Sequence, residues 1–225
     1  MNKAVVFDMD GLLLDSEAPI RDAWVSVART RGYAVTNEHF LEVVGRNEQD
    51  ASVIFRERFG EGIPLEEISQ EVKSILVSSL PVTGFAVKPG AWELLEDLKL
   101  RSIPCAVATS TAHAMACERL QKAGLLPYFQ HVSAGDEVTR GKPEPDLFLL
   151  AAERLGLPPA NCLVLEDSSF GALGGHRAGM AVIVIPDLKQ PTEEVREFVA
   201  GVFPSLDEAR PMIDQWLAGR FDQGR

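Results

Sequence analysis

Runs rich in apolar, β-branched residues recur along the chain, separated by segments with helical spacing. Lys3 to Phe7, Pro104 to Ala108, Cys162 to Leu165 and Ala181 to Ile185 have the length and continuity of buried strands, with a weaker run at His131 to Ala134. Ala91 to Leu100, His113 to Ala123, Pro145 to Leu155 and Phe170 to Ala178 repeat apolar residues every three or four positions, which predicts helices with one buried face. Strands alternating with helices predict an α/β fold built on a parallel sheet.

One connection breaks the alternation. The segment 15–83, roughly seventy residues, separates the first strand from the helix that begins near Ala91, where a strand-to-helix loop normally takes ~2–6 residues. Its pattern is helical throughout: Ile20 to Arg31, Glu38 to Val44, Glu48 to Phe59 and Leu65 to Leu80, punctuated by Gly32, Gly45, Gly60 and Gly62. We therefore expect a core formed by 1–14 and 84–225 and an inserted all-α domain formed by 15–83. Pro81 to Gly90 returns the chain to the sheet, and the tail adds an amphipathic stretch, Leu206 to Leu217, before a polar end.

Composition narrows the partners. A formal net charge of −11 gives a surface that repels nucleic-acid backbones and anionic lipid, so an anionic substrate needs a local positive site. No run approaches membrane-spanning length, and the start of the chain is too short before its first strand to be a signal peptide. Cys105, Cys117 and Cys162 are odd in number and lack C-x-x-C spacing, which fits small, buried, reduced thiols. These features predict a cytoplasmic protein that acts on small molecules, as a monomer or a weak homo-oligomer.

In an open parallel sheet, ligands bind beyond the carboxyl ends of the strands, so the residues there carry the candidate chemistry. The first strand runs into Asp8-Met9-Asp10-Gly11, the second into Thr109-Ser110-Thr111 and the fourth into Glu166-Asp167-Ser168, while Gly141-Lys142-Pro143 opens the helix before the fourth strand. Convergence of these ends would crowd Asp8, Asp10, Glu166 and Asp167 into one site. Carboxylates so placed stay ionised only if a cation neutralises them, and an all-oxygen set favours a hard ion such as Mg2+. Lys142 supplies further positive charge, and Thr109 and Ser110 supply donors for phosphate oxygens.

These motifs, in this order, resemble those of the haloacid dehalogenase superfamily, and the resemblance spans about Val5 to Ile185. It implies a Rossmann-like core with a small α-helical cap, in the branch of phosphatases and β-phosphoglucomutase-like proteins. It also implies that Asp8 attacks phosphorus to give an aspartyl phosphate, and that Asp10 protonates the leaving oxygen and then activates water. Thr109 and Lys142 match the second and third motifs, while Gly11 and Ser110 fall among the phosphate contacts. Mg2+ would be held by Asp8, the backbone carbonyl of Asp10 and Asp167, with Glu166 either a ligand or a partner through water. Arg46 follows Gly45 where relatives place a substrate-specificity loop, Val44-Gly45-Arg46-Asn47, and could equally be a solvated surface arginine.

Within that superfamily, Asp10 argues against a dehalogenase, because halide leaves without a proton. Arg46 argues against the phosphonate hydrolases, whose cap lysine forms a Schiff base that arginine cannot. Mutases place a histidine shortly after the first motif, where this chain reads Ala18-Pro19-Ile20. We expect Mg2+-dependent hydrolysis of a small phosphorylated metabolite, with a sugar-phosphate mutase as the alternative and a catalytically silent binding module as the alternative of another class. Gly171, Gly174 and Gly175 fit no phosphate-loop spacing and read as helix-packing positions. His39, His113, His131 and His176 lack metal-ligand spacing, and Trp24, Trp92 and Trp216 read as core anchors.

Overall fold

The structure, a computed structural model, describes residues 3–46 and 48–220, with Glu48 described by its backbone alone. Asn47 of the specificity loop and the polar end after Arg220 lie outside the described residues. Six parallel strands form one sheet: β1 (Ala4–Phe7), β2 (Cys105–Thr109), β3 (His131–Ala134), β4 (Cys162–Glu166), β5 (Ala181–Val184) and β6 (Gly201–Val202), in the order β3-β2-β1-β4-β5-β6. Central β1 pairs Val6 with Ala106 on one side and with Val164 on the other. Its four residues are fully buried, which explains why it reads as a continuous apolar run rather than an alternating one.

Helices cover both faces. Val5, Phe7, Val107, Leu165 and Ile183 face α5 (Ala91–Leu100), α6 (His113–Lys122) and α10 (Leu206–Leu217). Val6, Ala108, Val164 and Val182 face α7 (Asp146–Leu155), α8 (Ser169–Arg177) and α9 (Glu193–Arg196). Two glycines let α8 press close to its neighbours: a Cβ at Gly174 would lie 2.8 Å from the Phe148 ring of α7, and one at Gly175 would lie 3.0 Å from Val182 of β5. The sequence pattern missed β6, which is too short to establish a period. It also misjudged two side chains. Trp92 sits edge-on to Tyr128 at the surface, 38% exposed, because it lies on the outer side of α5, and Cys117 is only partly buried.

Between β1 and α5 the chain forms α1 (Glu17–Thr30), α2 (Asn37–Leu41), α3 (Glu48–Phe59) and α4 (Leu65–Ser79). Their apolar faces meet at a stack of Trp24 on Phe55, with ring centroids 4.4 Å apart, and Val25, Val27, Ile68, Val72 and Leu76 fill the space around it. The two strands of chain that enter and leave this insertion pair with each other: Asp15 N–H donates to the Ala86 carbonyl at 2.8 Å and Lys88 N–H to the Leu13 carbonyl at 2.9 Å. Among the described residues, no helix is long and apolar enough to cross a membrane.

Candidate active site

The strand order reverses at β1, so the crevice beyond the carboxyl ends of β1 and its neighbours is the expected place for a ligand. Asp8 sits there, one residue past β1, with its backbone N–H donating to the Leu165 carbonyl at 2.9 Å and so extending the sheet. Lys142 reaches it from the turn before α7: Nζ lies 2.5 Å from Asp8 Oδ1 and 2.6 Å from Glu166 Oε1. Glu166 ends β4, and its other oxygen accepts from the Ser168 N–H and hydroxyl, both at 2.9 Å. Asp8, Lys142 and Glu166 are 5%, 1% and 0% exposed, a depth at which an unpaired charge is not tolerated. Burial opposes the charge on Lys142, but Asp8 and Glu166 outweigh it and hold its pKa above the ordinary lysine range.

The same depth penalises the carboxylates. Burial pushes Asp8 up to about 8 despite Lys142, and burial together with Glu166 and Asp8 raises Asp167 well above the usual range. Asp8, Glu166 and Asp167 each bring a carboxylate oxygen into a cluster whose members lie within 4.8 Å of one another. Three acids against one lysine leave negative charge that a hard divalent cation would neutralise, and the all-oxygen set suits one. Two glycines keep this cluster open. A Cβ on Gly11, at φ +85°, would lie 2.4 Å from Asp167 Oδ2, and one on Gly171 would lie 1.7 Å from Glu166 Oε1. Gly11, expected among the phosphate contacts, donates its N–H to the Leu14 carbonyl at 2.9 Å. Its contribution is space.

Asp10 points elsewhere. Oδ1 accepts from the Ser16 hydroxyl at 2.6 Å and from Arg119 at 2.7 Å, and Oδ2 from the Thr111 hydroxyl at 2.7 Å. Ser16 occupies the N-cap position of α1 yet spends its side chain on Asp10 rather than on the helix. Thr109 Oγ1 accepts from the Thr111 N–H at 3.1 Å, which leaves its hydroxyl hydrogen to donate.

A cavity of about 290 Å3 separates this charged floor from the helical insertion. Asp8, Asp10, Asp167, Thr111 and Arg119 line it below, while Ile20, Trp24, Phe40, Val43, Phe55 and Leu76 line it above. One loop of the insertion rests on the floor. Ser110 donates to the Gly45 carbonyl at 3.1 Å, and a Cβ on Gly45 would lie 2.7 Å from Ser168 Oγ. Arg46, next in the loop, lies over the Phe170 ring at 4.0 Å, and its buried Nε has no hydrogen-bond partner among the described residues. Arg46 thus lines the cavity and is partly buried.

Residues 2–179 match the model of the haloacid dehalogenase-like hydrolases. The chain belongs to that family. It is 32% identical over 215 residues to a phosphorylated carbohydrates phosphatase of Thermotoga maritima, covering 94% of this chain and 90% of the other. Over 184 residues it is 35% identical to hexitol phosphatase A of Escherichia coli, covering 81% and 82%. Among solved structures it resembles CbbY from Rhodobacter sphaeroides in complex with phosphate, with a TM-score of 0.78, 25% identity and coverage of 93% and 96%.

As a haloacid dehalogenase-like hydrolase, this chain brings Asp8, Asp10, Lys142, Glu166, Asp167, Thr109, Ser110 and Arg46 to one crevice. Sequence reasoning missed Arg119, which lies in the last turn of α6 and reaches Asp10 across 109 residues of sequence. No spacing rule announces such a contact. It also gave no role to Ser16 and Glu17, although both stand beside Asp10.

Proposed function

We propose that this protein hydrolyses a small phosphomonoester, of the sugar or polyol class its relatives are named for, through a phospho-aspartate on Asp8. The observation that carries the reading is the single crevice in which Lys142 bridges Asp8 and Glu166 at 2.5 and 2.6 Å beside the acidic cluster. Asp8 is the one carboxylate there that follows the central strand and lines the cavity, so its free oxygen is the nucleophile. Lys142 offsets the charge on Asp8 and on the entering phosphoryl group, and Thr109 donates to a phosphoryl oxygen. Asp10 serves as acid and then base. Its three donors hold it in the accepting state that activates water, and one of them gives way when it carries the proton to the leaving oxygen.

Mg2+ is the metal we assign to the cluster, with Asp8, the Asp10 carbonyl and Asp167 as its protein ligands; when bound it neutralises the phosphoryl oxygens during transfer. We take Glu166 as the brace of Lys142 and Ser168 rather than a ligand, because both its oxygens are already engaged. Residues 15–83 act as the cap that covers the site, and its closure excludes bulk water from the reaction. Hydrolysis is favoured over a mutase reaction because Ile20, which has no basic side chain, lines the cavity near the place where mutases carry a histidine. A cytoplasmic enzyme, monomeric or weakly self-associating, fits this reading.

Phosphate release from sugar and polyol phosphates, with and without Mg2+ and beside an assay for isomerised sugar phosphate, tests it. Free phosphate that requires Mg2+ is expected. Isomer without free phosphate would replace the hydrolase with a mutase, and silence in both assays would favour a binding module.

A further inference from the structure

Five carboxyl groups stand at the crevice, and four have work within the chain. Asp8 and Glu166 hold Lys142, Asp10 is held by Ser16, Thr111 and Arg119, and Asp167 belongs to the acidic cluster. Glu17 is the remainder. It lines the same cavity, lies outside the acidic cluster, and has no hydrogen bond or ion pair among the described residues. A partly buried carboxyl without a partner is costly, and a substrate's hydroxyl group would remove that cost.

Its position says which hydroxyl. Glu17 is the first residue of α1 and follows Ser16, the residue that holds Asp10 at 2.6 Å. Asp10 must meet the leaving oxygen, so Glu17 faces the part of the substrate just beyond the ester bond. We propose that Glu17 binds a hydroxyl close to the phosphoester of the leaving group and so selects phosphates of polyhydroxylated carbon chains over phosphates of apolar alcohols. Ile20 and Trp24, on the same helix as Glu17, with Phe40 and Phe55 make the cavity beside it apolar, while Arg46, Ser52, Ser69 and Lys73 also line it, so an apolar alcohol would enter the cavity but leave Glu17 unpaired. Burial, with Asp10 and then Asp8 nearby, raises the Glu17 carboxyl to about 8, so that near neutrality it can donate as well as accept.

This inference rests on the phosphatase reading and is tested separately from it. The kcat/KM of the wild-type protein, Glu17→Ala and Glu17→Gln would be measured with Mg2+ on sorbitol 6-phosphate and on 4-nitrophenyl phosphate. The ratio of kcat/KM for the polyol ester to that for the aryl ester is expected to fall about ten- to a hundredfold in Glu17→Ala, mainly through KM. Glu17→Gln, which keeps a donor and an acceptor in nearly the same shape, should recover part of the ratio even if the alanine variant folds poorly. A ratio unchanged in both variants, with the two esters losing rate together or not at all, overturns the inference and leaves the phosphatase standing. Wild-type protein inert toward both esters would overturn the phosphatase reading itself, and the inference with it.

Discussion

The floor and the roof of the cavity are built on opposite terms. Below, at the carboxyl edge of the sheet, polar groups are paired within the chain: Lys142 with two acids, Glu166 with Lys142 and Ser168, Asp10 with three donors. Above, the helices α1 to α4 present mainly apolar side chains, and two of the polar groups that face the cavity, Arg46 Nε and Glu17, have no hydrogen-bond partner among the described residues. A floor whose contacts are all internal is preorganised for one reaction on any phosphoryl group. A roof in which Arg46 Nε and Glu17 await partners is suited to choosing what the phosphoryl group is attached to. On the function we propose, chemistry and selection are thus divided between core and insertion.

The division is broken most severely from below. Lys142→Met leaves Asp8 and Glu166 facing each other with nothing between them, and we expect turnover to fall at least on the order of a thousandfold. Chemical denaturation should show a stability loss of about 3 kcal/mol, the usual consequence of removing one partner from a buried pair. Retained turnover would show that the buried bridge is structural only. Gly171→Ala tests the packing of the same site without touching a charge. Its methyl group would have to displace the Glu166 carboxylate, since a Cβ there falls 1.7 Å from Oε1, so Lys142 loses its brace. A stability loss of about 1–3 kcal/mol with a clear drop in kcat is the expected result.

The roof gives smaller and differently shaped effects. Arg46→Ala removes a cationic wall that touches no floor carboxylate, so KM should rise about tenfold with kcat little changed. An equal loss in both constants would place Arg46 with the floor instead. Glu17→Gln should give the smallest stability signal, seen in how stability depends on pH. The folded protein holds the Glu17 proton up to about 8, whereas an unfolded chain releases it near the ordinary 4.5. The folded state therefore binds more protons between those values, and this group's contribution to stability is present below about 4.5 and lost as pH rises toward 8. Thermal melts of metal-free protein should show that decline, and it should be shallower in Glu17→Gln.

The same division decides what the sequence reveals. Floor residues follow strands, so Asp8 after β1, Thr109 at the end of β2 and Glu166 and Asp167 at the end of β4 are placed by reading strand ends alone. The core strands are legible because both faces are covered, which leaves continuous apolar runs. What stayed hidden depends on reach across the fold. Arg119 meets Asp10 only because α6 packs beside β1's crevice, and the role of Gly11 became clear only when its N–H was found turned to Leu14 and its missing Cβ against Asp167. Arg46 looked equally suited to solvent until the loop at Gly45 was seen resting on Ser110 and Ser168.

The central claim is that the phosphoryl group passes through Asp8. Protein mixed with a radiolabelled sugar phosphate and Mg2+, quenched in acid within one turnover and digested, should carry label on the peptide containing Asp8, and Asp8→Asn protein should carry none. Label on another residue, or full turnover by the Asp8→Asn protein, would contradict the account.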